Sequence, residues 1–540
     1  MPRILSQIDP ASDAFRENRA GMLASIAALR ELEGRIRARS ERSRARFEAR
    51  GQLLPRDRLN LLLDRGAPWL ELSTLAGYRT FDDDGEENIT GARLITGLGE
   101  ICGTRCVVIT DDSGITAGAL HTYGVHKMIR AFDLALENKL PVVHLVQSAG
   151  ADLLQYVPET FMRGGGMFYK QAKLSAAGCP VITVVHGSST AGGAYMPGMS
   201  DYTIMVRGQA KAFLAGPPLV RAATGEIADD EELGGTDMHA TRSGLTEYVA
   251  GNDAEAIAIC RDVVARLNWP AGQTAAAPAG WSEPAYEIDE ICGIVPMDYQ
   301  KPYDVREVIA RVVDGSDFLE FKAAYDGQTI CGHAHILGQA CGLIGNNGPI
   351  TPEGAVKAAQ FMQLCSQSAT PLIFLQNTTG FIVGRDPEQR GIIKAGAKMI
   401  QAVANATVPR ITLMIGASFG AGNYAMSGWA YEPRFILGWP NYKTAVMGAK
   451  QAALVMRIVN EAAAARKGEP MPEAELAALE TQVVELYESM ESGRYASARL
   501  WDDGIIDPRD SRRVLGLLLS VCGAAERRAL NPNTFGVARF

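Results

Sequence analysis

Residues 179–196 read CPVITVVHGSSTAGGAYM. The first half, CPVITVVHG, is an apolar, β-branched run and predicts a buried strand. The second half, STAGGAYM (Ser189–Met196), is nearly bare: apart from Tyr195 every residue is Gly, Ala, Ser, Thr or Met. A strand that passes through a glycine-rich turn into a helix aims backbone N–H groups outward. Those groups lack intrahelical acceptors, and the helix dipole is positive there. Glycine also lets a ligand approach the backbone closely. Two N–H groups converging on one oxygen make an oxyanion hole. A tight turn or a close helix contact uses the same residues without chemistry, so this turn alone leaves both readings open.

Working outward, short apolar runs alternate with helical segments from about residue 86. CVVIT, LPVVHLV, CPVITVVHG and DYTIMVRG predict strands; GVHKMIRAFDLALENK and GGMFYKQAKLSAAG predict helices. Such alternation implies a parallel sheet with crossover helices, an α/β fold. The pattern then repeats. PVVHLVQSAG opens at Pro141 and PLIFLQNTTG at Pro371, each with a glycine nine residues on, Gly150 and Gly380. Pro180 follows Pro141 by 39 residues and Pro409 follows Pro371 by 38. SFGAGNYAM echoes STAGGAYM, with Gly192 and Gly422 each 51 residues after the matching proline. Four landmarks in one order predict two copies of one α/β unit, beginning near residues 86 and 326. A turn present in both copies favours bare backbone as a working part.

Before the repeats, residues 14–50 predict a helix with Met22, Ile26, Leu29, Leu32 and Ile36 on one face. Its arginines interleave with Glu31, Glu33, Glu41 and Glu48, a solvated face rather than a nucleic-acid surface. Between the repeats, WPAGQTAAAPAGWSEPAYE (269–287) lacks periodicity and reads as a linker. The divisions expected are 1–85 as a helical segment, 86–285 as the first α/β domain and 286–540 as the second. With 540 residues, 47% hydrophobic, 21% charged and a net charge of −8, the chain suits a soluble globular protein and not a general nucleic-acid binder. No apolar stretch is long enough to span a membrane. Nine scattered cysteines and no apolar leader suggest a reducing, cytoplasmic setting.

Side-chain chemistry finds little support. Cys102 and Cys106 form one C-x3-C with no second pair for zinc. No phosphate loop, dinucleotide fingerprint, nucleophile elbow or H-E-x-x-H occurs. A backbone oxyanion site serving a cofactor's chemistry fits better.

Longer motifs carry a resemblance. ARGQLLPRDRLNLLLD, FLAGPPLVRAATGE with ELGGTDMH, KPYDVREVIARVVDGSDFLEF, GASFGAGNYAMSG and SARLWDDGIIDPRDSRRVLG resemble the carboxyltransferase (β) subunits of biotin-dependent acyl-CoA carboxylases. The branch they are most similar to is that acting on methylcrotonyl-CoA and geranyl-CoA. The resemblance implies two tandem crotonase-like domains, each a parallel-sheet superhelix with flanking helices. It places the active site where the first domain of one subunit faces the second domain of another. Carboxybiotin would release CO2, biotin would take the γ proton of an enoyl-CoA, and the charge would collect on the thioester oxygen. By position, Gly192 and Gly193 would hold that oxygen, and Ala421 and Gly422 the ureido oxygen of biotin.

The same resemblance nominates Gly164, Gly165, Phe168, Ala149 and Gly150 for the acyl group, and Phe419, Gly420, Asn423, Thr379 and Gly380 for biotin. Lys127, Arg130 and Lys211 are basic candidates for the phosphates of coenzyme A. No metal is expected. An α subunit with biotin carboxylase and biotin carrier is the implied partner, since no A-M-K-M site occurs and Lys398 in GAKMI lies mid-repeat. A homo-oligomer with a β hexamer core is also implied.

The run CGLIGNNGPITPEGAVKAAQFMQLCSQSATPLIFLQNTTGFIVG and the ending FGVARF are closer to the geranyl-CoA enzymes. Gly164 falls where the methylcrotonyl branch has a pocket-closing aromatic residue, which leaves room for a longer chain. The chain departs from the family pattern at Thr116, Gln147, Ala149, Ser427 and Trp429. Those departures keep methylcrotonyl-CoA or another long or branched acyl-CoA open as substrate. A biotin-dependent decarboxylase subunit and a non-catalytic scaffold are the rival readings.

Overall fold

The computed structural model describes residues 3–81, 83–152, 157–269, 280–467 and 471–538. Most of the expected linker, 270–279, and the last two residues of FGVARF lie outside these. The chain divides into two compact units. The first comprises Arg30–Ala275, Ala498–Leu500 and Gly523–Phe540; the second comprises Met1–Leu29, Ala276–Ser497 and Trp501–Cys522.

The amino-terminal helix α1 spans Asp13–Glu41, and its five expected apolar positions are all buried. It is shorter than the sequence pattern suggests. A turn at Arg42–Ser43 separates it from α2 (Arg44–Glu48), where the Ser43 hydroxyl donates to the Gly114 carbonyl at 2.7 Å. That bond competes with continued helix. A third helix, α3, spans Pro55–Leu62 with proline at its first position, where no N–H is missed.

The first unit is built on eight strands: β1 (Leu70–Leu72), β2 (Leu94–Ile101), β3 (Thr104–Asp111), β4 (Val142–Ser148), β5 (Val181–Thr190), β6 (Tyr202–Val206), β7 (Lys211–Phe213) and β8 (Tyr248–Ala250). Their order is β1-β2-β3-β4-β5-β6-β8, with β7 added to the end of β5. The first three strands are antiparallel and the rest run parallel from β3 onward. The hairpin between β2 and β3 turns on Cys102 and Gly103, with φ of 49° and 72°. Positive φ at both central residues matches the right-handed strand twist. Helices α4 (Thr122–Glu137) and α5 (Pro158–Ala177) are the crossovers into β4 and β5, as parallel strands require. A final helix, α6 (Asp253–Arg266), joins α3 in covering the core built on Val143, Leu145, Ile182, Val184 and Ile204. Each such fully buried side chain contributes about 1.5–3 kcal/mol.

The second unit repeats this plan. Its strands are β9 (Leu319–Glu320), β10 (Thr329–Ile336), β11 (Gln339–Asn346), β12 (Leu372–Thr378), β13 (Arg410–Phe419), β14 (Phe435–Gly438) and β15 (Lys443–Ala445). The order is β14-β13-β12-β11-β10-β9, with β15 on β13. Its hairpin turns on Leu337 and Gly338, φ 47° and 74°. The crossovers are α7 (Pro352–Gln367) and α8 (Ile392–Ala404). Phe361, Met362, Phe374 and Met399 anchor its core.

The two sheets share an irregularity. Val146 faces Val185 but Ser148 faces Ser189, four steps along β5 against two along β4. Gln376 faces Met414 but Thr378 faces Ser418, again four steps against two. Each long strand therefore bulges just before its turn, as strands do beside functional sites.

Candidate active site

In the first unit β5 ends at Thr190, and Ala191 turns the chain with φ 53°. A 3-10 turn, Ala191–Ala194, leads into the one-turn helix Tyr195–Gly198. In the second unit β13 ends at Phe419, and Gly420 turns the chain with φ 54°. Helix α9, Gly420–Ala425, follows directly. The left-handed residue aligns the two turns: Ala191 with Gly420, Gly192 with Ala421, Gly193 with Gly422. This corrects the sequence register, which set Gly192 against Gly422. The segment between the prolines is one residue shorter in the second copy, 38 against 39.

The surroundings match as well. Gly150 and Gly380 have φ of 89° and 119°. Each donates its N–H to the side-chain oxygen two residues before, Ser148 Oγ or Thr378 Oγ1, at 3.2 Å. Leu120 N and Ile350 N donate to their carbonyls at 2.8 and 2.9 Å. Ala149 and Thr379 are exposed beside them. At each turn the middle residue, Gly192 or Ala421, is exposed and the next glycine is buried. The first-turn N–H groups of so short a helix have no intrahelical acceptors. No charged side chain stands on either turn.

Phe168 of α5 reaches the first turn: a Cβ placed on Gly192 would lie 3.6 Å from Phe168 Cζ. Its ring meets Tyr195 edge-on at 5.8 Å. Gly164 is one helical turn before Phe168 on the same face, and Cβ atoms on Gly164 or Gly165 would meet nothing within 4 Å. The structure thus brings Phe168 to Gly192, with Gly164 and Gly165 on the same helix beside open space.

Other expected site residues are not placed this way. Lys127 is buried, and its ammonium donates to the carbonyls of Gly91 and Leu94. Burial pushes it down to about 8, the charges of Glu71 and Asp112 opposing. It is turned away from any phosphate for a structural reason that recurs: Lys357, at the same place in α7, is buried and donates to the Asp326 carbonyl at 2.9 Å. Arg130 is half-buried on α4. Lys211 pairs with Asp230 at 3.2 Å and Glu231 at 3.5 Å. Partial burial opposes its charge, but these carboxylates outweigh it and hold its pKa raised. Phe419 is buried edge-on against Tyr299 at 5.0 Å, so its ring packs and does not face a ligand. Asn423 turns its amide inward, Nδ2 to Ser418 Oγ at 2.7 Å.

The departures from the family pattern sit in tight backbone. Thr116 and Ala117 hold φ of 48° and 51°, and Ser427 holds 58°. Gln147 is tied down by its side chain, its Oε1 accepting from buried Arg58 Nη1 at 2.6 Å. Trp429 is exposed. Sequence reasoning missed Gln171, Gln376 and Ser418, which hold the turns. One signal was available: Gln376 shares a strand face with Leu372 and Phe374, a core position where period-two patterning calls for an apolar residue. Among the described residues no three His, Cys, Asp or Glu side chains could hold a metal, and no helix is long and apolar enough to cross a membrane.

Two sheets of one plan, each ending in a bare turn, make a tandem α/β protein with paired backbone-donor turns. The chain belongs to the carboxyl transferase domain family, whose model matches residues 46–535. Within it the chain is of the type of the β chains of biotin-dependent acyl-CoA carboxylases. It is 45% identical over 99% of its length to the probable mitochondrial methylcrotonoyl-CoA carboxylase β chain of Drosophila melanogaster, covering 95% of that protein. It is 46% identical to a probable biotin-dependent acyl-coenzyme A carboxylase β2 subunit of Mycobacterium tuberculosis, over 99% of both chains. The crystal structure of the P. aeruginosa geranyl-CoA carboxylase β subunit is similar over 100% of both chains, with 54% identity and a TM-score of 0.92.

Proposed function

We propose that this chain transfers the carboxyl group of carboxybiotin to the γ carbon of a branched enoyl-CoA, with geranyl-CoA as substrate. The open space at Gly164, on the α5 face that carries Phe168 to the first turn, is the observation that carries the substrate assignment. The likeness to a geranyl-CoA carboxylase β subunit supports it. Relatives named for methylcrotonoyl-CoA keep that shorter substrate as the second reading.

Gly192 and Gly193 offer their N–H groups to the thioester oxygen. As the γ proton leaves, charge moves through the conjugated system onto that oxygen, and the donors gain strength where charge develops. Phe168, with Gly164 and Gly165, borders the acyl chain, and Ala149 and Gly150 flank it. Ala421 and Gly422 offer N–H groups to the ureido oxygen of biotin, with Thr379 and Gly380 alongside. That turn fits a neutral urea acceptor, since Ala421 is exposed and no charged side chain on the turn competes. Bound carboxybiotin supplies the CO2 and the base, which matches turns without a catalytic acid or base of their own. The biotin arrives on a separate carboxylase and carrier subunit, and the chain works as a homo-oligomer, a hexamer. Nine free cysteines, eight of them buried, fit a reducing cytoplasmic compartment.

The test is co-purification with biotinylated host proteins, followed by ATP-dependent bicarbonate fixation on geranyl-, methylcrotonyl- and long-chain acyl-CoAs. Fixation on geranyl-CoA is expected. No biotinylated partner and no fixation would overturn the carboxylase reading; fixation on methylcrotonyl-CoA alone would overturn the substrate.

A further inference from the structure

The last rung before the second turn is set by side chains instead of by the ladder. Between Met414 and Ser418, residues 415–417 of β13 have no register partner on β12. Asn377 fills this bulge, its Oδ1 accepting from Ala417 N at 3.2 Å. Beside it the buried amide of Gln376 is used at both ends. Oε1 accepts from Ser418 Oγ, while Nε2 donates to the Met426 carbonyl at 2.6 Å and faces the Asn423 carbonyl at 3.4 Å. Ser418 Oγ in turn accepts from Asn423 Nδ2 at 2.7 Å. Residues before, within and after α9 are thus tied to one side chain. A six-residue helix has few bonds of its own, and its last carbonyls need outside donors.

The first repeat lacks this device: Val146 stands where Gln376 does. Its turn is held from another element. Gln171 of α5 donates Nε2 to the Met196 carbonyl at 2.8 Å and to Ser200 Oγ at 3.0 Å, and Ser189 Oγ donates to the Gly193 carbonyl at 2.9 Å. Two copies of one fold have met the same need with unrelated glutamines.

We propose that Gln376 is a positioning residue that aims the N–H groups of α9, and Gln171 its counterpart for the first turn. The assignment of each turn to a substrate rests on the function proposed above. The experiment is the transfer half-reaction of the full chain, run with free biotin and the carboxylated acyl-CoA. Alongside it, hydrogen exchange is followed at segments 418–427 and 189–198. Gln376→Leu should lower kcat/KM for biotin about ten- to hundredfold, the scale of a misplaced reacting group, and leave KM for the acyl-CoA unchanged. Gln171→Leu should do the reverse. Exchange should rise about tenfold only in the segment whose glutamine is lost, since its helix end loses its donor. Kinetics within twofold of wild type, or exchange rising in both segments alike, would overturn the brace. If Gln376→Leu does not fold, Ser418→Ala removes only the hydroxyl and must give the same split in weaker form; no split overturns the proposal. Local exchange as expected, with loss on the acyl-CoA side, would uphold the brace and overturn the biotin assignment.

Discussion

A Cβ built on Gly193 meets only Ser189 Oγ, at 3.6 Å, an ordinary contact. Built on Gly422, at the same place in the second turn, it falls 2.9 Å from Gly380 Cα and 2.9 Å from Thr378 Cγ2. The backbone paths agree, but the reasons for glycine differ. At Gly422 close packing alone demands it, whereas at Gly193 the fold has room and the demand comes from elsewhere. The two units share the course of the chain and differ in the packing around it. The two glutamine braces, one on a strand and one on a helix, tell the same story.

The sharpest way to break this contrast is to fill both positions. Gly193→Val should fold with a melting temperature near that of wild type while losing about 10²–10³ in kcat, the cost of removing an oxyanion donor's access. A fully active, folded Gly193→Val would remove the first turn from the chemistry. Gly422→Ala should lose stability as well, by about 1–3 kcal/mol in denaturant unfolding, as overpacked sites do. Unchanged stability there would make the two glycines alike after all.

A smaller effect is expected where the first turn meets α5. Gly164→Phe should lower kcat/KM for geranyl-CoA by about tenfold or more and spare methylcrotonyl-CoA, because the new ring enters empty space beside Phe168. Equal losses on both substrates would separate Gly164 from chain-length selection.

The smallest effect concerns the buried lysines that both repeats keep. The Lys127 ammonium is lowered to about 8 by burial. Between that value and the ordinary 10.5 the unfolded chain binds more protons than the folded one, so this group makes stability rise with pH across the window. Below about pH 8 its contribution is lost. Comparing wild type with Lys127→Met at pH 7 and pH 9.5 should show the wild type gaining on the variant, by at most about 2 kcal/mol. A difference that does not change with pH would mean Lys127 keeps its ordinary protonation behaviour.

Much of the molecule was legible in the chain itself. Apolar runs of strand length, helices of period 3.6 and the bare turns are local features, and their order sufficed for two α/β units of one plan. The buried face of α1 followed from Met22, Ile26, Leu29, Leu32 and Ile36 in the same way. What distinguishes one turn from the other was not local. Ala191 and Gly420 set the true register through their φ, which spacing from a distant proline missed by one residue. Lys127 and Phe419 looked available to ligands and are buried, because burial depends on the elements packed above them. Gln171 and Gln376 act on carbonyls 25 and 50 residues away. Periodicity and composition report each residue's own backbone; which side chain fills a bulge or caps a turn is decided only when strands distant in sequence are brought side by side.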